Sequence, residues 1–146
     1  GAANAQSPAT CGNFQVTLEL NHIEYLDDGE EGVSAGDRRV GRFDIFSTSG
    51  EPAGDYFFAS TTLPDSDTDG FREIGTARYS FENGTVAVST FYTLADPSNT
   101  DRTVTQEFNY PVMGGTGDFV GASGNVHSAP GSDGLRLHTF DLACDG

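Results

Sequence analysis

The chain has 146 residues, enough for one domain with a single buried core and short for two. Its 7 basic residues, all arginine, face 22 acidic ones, and the net charge of -15 argues against a phosphate backbone or an anionic membrane surface as a partner. With 19 Gly, 11 Phe and 5 Tyr against one Met and no Trp, the composition favours strands and tight turns, and no run approaches the roughly 18 apolar residues that a membrane-inserted helix needs.

Residues 1–12 are small and polar and read as a flexible N-terminal segment ahead of a single domain over 13–146. Within that segment Ala3-Asn4-Ala5 has the small-x-small pattern of a signal cleavage site. From Phe14 to Leu26 the chain alternates Phe14, Val16, Leu18 and Leu20 with Gln15, Thr17, Glu19 and Asn21, the period of a half-buried strand. The acidic run Asp27 to Gly32 ends it and opens a loop long enough to cover one end of the domain. A second strand is expected over Arg39 to Ser47 and a third over Tyr56 to Leu63.

The fourth strand, Phe71 to Phe81, places Phe71, Ala77, Tyr79 and Phe81 on one face. Asn83-Gly84 follows, a strong hairpin signal because both residues tolerate positive φ, and Thr85 to Leu94 returns as the fifth strand. After a polar loop over Ala95 to Arg102, further strands are expected over Thr103 to Val112, Phe119 to His127 and Leu135 to Leu142. The fold class is therefore all-β. About eight strands with short turns and no amphipathic helix suit an eight-stranded antiparallel up-and-down barrel, and a sandwich would show the same spacing. Cys11 and Cys144 lie at opposite ends of the chain, where a closed barrel would bring the first and last strands together. A disulfide there would favour a secreted, oxidising setting, and two free thiols a cytoplasmic one.

The segment Tyr110 to Gly124 contains Gly114-Gly115-Thr116-Gly117, then Asp118, Phe119 and a small-residue run ending in Gly. It resembles the signature turn and strand of dirigent proteins and allene oxide cyclases. Val40-Gly41-Arg42 and the hairpin Tyr79 to Thr85 resemble further segments of that family in the same order. The resemblance spans about Phe14 to Cys144 and implies a β-barrel that uses no metal or organic cofactor and is often a homo-oligomer, a dimer or trimer. It also implies a lumen in which a small hydrophobic precursor undergoes directed ring closure, as a cyclase or isomerase. A lysine-free, Ala-, Gly- and Asp-rich chain suits bacterial natural-product biosynthesis better than plant hormone synthesis. The competing reading is a non-catalytic barrel, lipocalin-like or dirigent, that binds an apolar ligand unchanged.

Strand parity supplies the candidate chemistry. His22 and Glu24 continue the row of Phe14 to Leu20, so with that row facing a lumen a carboxyl and an imidazole stand near one mouth as acid and base. Otherwise they form a solvated pair at the rim. Where the resembling families carry an acidic residue, this chain has His22. Arg42 either pairs with Asp44 or stabilises an oxyanion. Leu20, Tyr79, Phe91, Phe108, Tyr110 and Phe119 are candidate substrate-binding residues, with plain core packing as their other reading. Dirigents carry a basic residue where Ser123 stands; Ser123 and Asn125 can still hydrogen-bond a carbonyl or hydroxyl.

His127 and His138 sit on paired strands, but no third ligand completes a metal set, so both are expected at the surface. Asp65-Ser66-Asp67-Thr68-Asp69-Gly70 matches the first half of a calcium loop, yet Thr76 stands where the bidentate Glu belongs. A solvated acidic turn is the alternative.

Overall fold

The structure, a computed structural model, describes residues 8–64, 70–98 and 105–144. Eight strands close into an antiparallel barrel in simple chain order: β1 (Asn13–Leu26), β2 (Arg38–Ser47), β3 (Pro52–Pro64), β4 (Phe71–Phe81), β5 (Gly84–Leu94), β6 (Phe108–Gly117), β7 (Ala122–Pro130) and β8 (Arg136–Cys144). The expected sandwich alternative is thereby removed, since β1 pairs with β8 from Asn13↔Asp141 to Leu18↔Arg136. A single turn of 3-10 helix, Ser132–Gly134, joins β7 to β8. No helix among the described residues is long and apolar enough to cross a membrane.

The lower end of the barrel is where the termini meet. Cys11 and Cys144 form a disulfide with Cα atoms 6.1 Å apart. Of the segment expected to be flexible, residues 8–12 lie against this end: Ala9 is buried, its carbonyl accepts the Asn83 amide at 3.0 Å, and Gly12 accepts the Leu142 N–H at 2.8 Å. Inside, Phe14 stacks on Phe140 at 4.3 Å and meets Phe81 edge-on at 5.8 Å, while Phe81 lies 5.9 Å from Phe119. Each fully buried phenyl is worth about 1.5–3 kcal/mol of transfer free energy, so the plug is a main source of stability.

Strand β6 shifts partners along its length. Its lower half pairs with β5, from Gly84↔Gly117 to Val88↔Val112 with an extra residue at Met113, whereas its upper half pairs with β7, from Phe108↔Ser128 to Pro111↔Asn125. The expected sharp turn at Gly114 to Gly117 is thus displaced. Those glycines belong to the strand, and the turn is made by Asp118 to Gly121, with Phe119 N–H donating to Thr116 at 3.0 Å and Ala122 N–H to Phe119 at 3.0 Å. Glycine is required at 115, because a Cβ there would lie 2.5 Å from the Phe119 carbonyl oxygen, and at 117, where φ is +62°. Together they let Phe119 fold under the barrel. The sixth strand accordingly starts and ends later than the expected Thr103 to Val112, and the seventh starts at Ala122 instead of Phe119.

A second irregularity governs the upper end. Strand β1 pairs with β2 as Leu20↔Phe43 and then His22↔Arg42, so Asn21 is an unpaired extra residue, a β-bulge. A bulge shifts the alternation by one. Below it Leu18 and Leu20 face inward; above it Ile23 faces inward and His22 and Glu24 face out.

Candidate functional site

The upper half of the lumen holds a cavity of about 190 Å³. Leu18, Leu20, Phe43, Phe58 and Phe108 supply apolar wall, and the β7–β8 turn at Pro130, Gly131 and Gly134 borders the mouth. Polar side chains enter in two groups, one from β7 and β8 and one from β2 and β5.

On the β8 side, His138 is 4% exposed and shares the inward row of Phe140 and Leu142. Its Nδ1 lies 2.7 Å from the Tyr79 hydroxyl and its Nε2 lies 2.9 Å from Ser128 Oγ. Arg136 donates to the same Ser128 oxygen from Nε at 3.2 Å and from Nη2 at 2.8 Å. With both lone pairs of Ser128 so occupied, its own proton goes to His138 Nε2, which leaves the imidazole proton on Nδ1, donated to Tyr79. Burial first, and then the charge of Arg136, push the His138 pKa down to about 3, so the ring is neutral at ordinary pH. Arg136 also lies over the Phe108 ring at 5.4 Å; burial lowers its pKa, but a guanidinium keeps its charge.

On β2, Arg39 is 3% exposed and donates from Nη1 to the Tyr92 hydroxyl at 3.1 Å. Among the described residues its Nε has no hydrogen-bond partner, nor does Thr90 Oγ1. On the inward row of β4, paired with Tyr92, the buried Glu73 accepts the Ser60 hydroxyl at 3.1 Å. Burial raises the pKa of Tyr56, Tyr92 and Tyr110 above the ordinary phenol value, so all three present O–H groups. All three line the cavity. Above it, Asp37 organises the β1–β2 loop: its carboxylate accepts the Tyr25 hydroxyl and the N–H groups of Asp28, Gly29 and Ser34. The Tyr25 hydrogen bond first, with the backbone donors, holds Asp37 down at about 2.

The site residues expected from sequence divide into three groups. Leu20, Phe108 and Tyr110 line the cavity. Tyr79 and Phe119 are fully buried below it, Tyr79 as the His138 partner and Phe119 in the aromatic plug. The rest stand on the outer face, a correction to their expected orientation. His22 and Glu24 are turned outward by the Asn21 bulge, with side chains 65% and 58% exposed and 3.9 Å apart. Arg42 pairs outside the barrel with Asp55 at 2.8 Å and Asp44 at 3.5 Å. Phe91 is 55% exposed with Arg72 over its ring, because the inward row of β5 is Val86, Val88, Thr90, Tyr92 and Leu94. Ser123 and Asn125 lie outside the cavity, the latter bonded to Asn109 at 3.0 Å.

Of the two histidines expected at the surface, His127 is half-buried and bonded to Glu107 at 2.8 Å, whereas His138 is internal. The residues missed were Arg39, Tyr92, Ser128, Arg136 and His138. Their signal was parity: Arg39 shares the row of Phe43 and Ile45, and Arg136 and His138 the row of Phe140. No group of three potential metal ligands occurs among the described residues, and the calcium-like Asp65, Asp67 and Asp69 lie outside them.

No protein-family model and no curated protein matches the sequence. Solved structures do match the fold. A pyocyanin demethylase superposes with a TM-score of 0.74 and 14% identity, covering 90% of this chain and 99% of that one. The Diels–Alderase AbmU from Streptomyces koyangensis gives 0.67 and 13%, covering 99% and 73%. The pterocarpan synthase dirigent protein GePTS1 gives 0.56 and 11%, covering 89% and 81%. At these identities the likeness establishes a shared architecture: the chain has the closed eight-stranded barrel that these proteins also adopt.

Proposed function

We propose that this protein is a cofactor-independent cyclase or isomerase. In this reading the upper chamber takes a small hydrophobic precursor bearing a carbonyl-type acceptor, folds it into a reactive conformer and promotes its ring closure. The observation that carries the reading is a cavity, walled largely by apolar and aromatic side chains, into which neutral phenols and two guanidiniums converge. Ring closure is redox-neutral, so positioning and charge stabilisation suffice. Apolar walls restrict the precursor's conformers, and donors fixed in a low-dielectric site stabilise negative charge that grows on its oxygen. Arg39 and Tyr92 form one donor pair. Tyr110 and the Arg136, Ser128 and His138 relay form the other, where the neutral imidazole keeps the Ser128 hydroxyl oriented.

Among proteins of this fold, one is named a Diels–Alderase and another a pterocarpan synthase dirigent protein, which supports ring closure in natural-product synthesis. The pyocyanin demethylase has the same fold under a different activity, so the choice rests on the chamber's groups. His22, Glu24 and Arg42, outside the chamber, take no part in this proposal.

The test is to incubate the purified protein with linear precursors that carry a diene and a carbonyl-activated alkene, and to follow product by chiral chromatography. Acceleration with one stereoisomer in excess is expected, and Tyr92→Phe should lose about a hundredfold in rate. Saturable binding without acceleration would identify a carrier instead.

A further inference from the structure

The chamber is electrically unlike the rest of the molecule. The chain carries a net charge of -15, yet among the described residues the charged side chains that line the cavity are Arg39 and Arg136. Glu73, on the inward row of β4 and across from Tyr92, accepts the Ser60 hydroxyl.

Resting on the chamber reading above, we infer that the natural ligand binds as an anion, with a carboxylate or enolate seated against Arg39 and Thr90. Two observations lead there. Arg39 is 3% exposed and Thr90 2% exposed, so both have left water, and both keep an unpartnered polar atom, Nε and Oγ1. A buried guanidinium N–H without an acceptor is costly, and an oxyanion would remove that cost while neutralising the charge. Second, about 190 Å³ is somewhat more than the roughly 150 Å³ cavity known to hold one benzene. The enclosed part is therefore the size of a fused bicycle, with larger substituents leaving by the mouth at Gly131 and Gly134.

The experiment is a fluorescence titration of the intact, disulfide-bonded protein with 6-hydroxy-2-naphthoate, which has an anionic and a neutral acceptor end, and with neutral 2-naphthol. The naphthoate is expected to bind about tenfold tighter or better. That preference should vanish in Arg39→Gln and persist in part in Arg39→Lys. Should Arg39→Gln fail to fold, Thr90→Val, nearly the same shape, is expected to weaken naphthoate more than naphthol. Equal binding of the two probes, or tighter naphthol, overturns the anion inference and leaves the chamber standing. If neither probe binds, the inference and the chamber reading fall together.

Discussion

The two ends of the barrel solve opposite problems with the same strands. At the lower end the inward positions are filled mainly by phenyl rings and aliphatic side chains, Phe119 folds under as a stopper, and the disulfide ties the first strand to the last. At the upper end the same rows continue as Arg39, Ser60, Glu73, Thr90, Tyr92, Ser128 and His138, polar groups that cost free energy to bury. A chain that needed only to fold would have continued the phenyl rows upward. Stability is concentrated where nothing can bind, and the polar, partly unsatisfied half is held open above it. This is the division expected of a scaffold carrying a site.

The sharpest way to break that contrast is to damage the floor. Phe140→Ala removes a fully buried ring that stacks on Phe14, and should cost about 3–5 kcal/mol in denaturant unfolding while the fraction still folded binds naphthol probes unchanged. Loss of binding in that folded fraction would mean the two halves are one unit. Reducing the Cys11–Cys144 bond, or Cys11→Ser with Cys144→Ser, should cost about 2–5 kcal/mol, read as a lower thermal midpoint, because the bond closes a loop spanning a sequence separation of 133.

The chamber should reveal itself through pH. His138 stays neutral in the folded protein down to about pH 3, whereas the unfolded chain takes up that proton near its ordinary 6.5. Its contribution to stability is therefore complete above about pH 6.5 and is lost progressively as the pH falls toward 3. The unfolding free energy of wild type minus that of His138→Asn, measured at steps from pH 7 to 4, should fall with acidification. A flat difference would place the ring in solvent. The smallest effects belong to the outer face: His22→Ala and Glu24→Ala should each shift stability by no more than about 0.5 kcal/mol and leave probe binding alone.

How much of this could be read from the chain differs between the same two ends. The floor was legible. Alternation over Phe14, Val16 and Leu18, the Asn83-Gly84 hairpin and the terminal cysteines all point to strand pairing, and apolar rows announce which face is inside. The chamber was not, for two physical reasons. A bulge adds one residue to one strand only, and nothing at Asn21 marks it, so parity carried past it assigned His22 and Glu24 to the wrong face. In addition, polar residues on an inward row look like a break in the pattern. Phe91 draws attention as the apolar residue although Tyr92, one position on, is the one that points in. His138 was within reach, since it alternates with Phe140 and Leu142, but a histidine among polar neighbours reads as surface.

The chain's 3 histidines supply the most direct test of where ligand binds, since His22 and His127 have outward-turned side chains and only His138 lines the cavity. Two-dimensional NMR of the ring Cε1–H groups during titration with 6-hydroxy-2-naphthoate should move the His138 signal in a saturable way and leave the other two in place. Movement of His22 or His127 with His138 unchanged would put the ligand on the outside of the barrel and contradict the account.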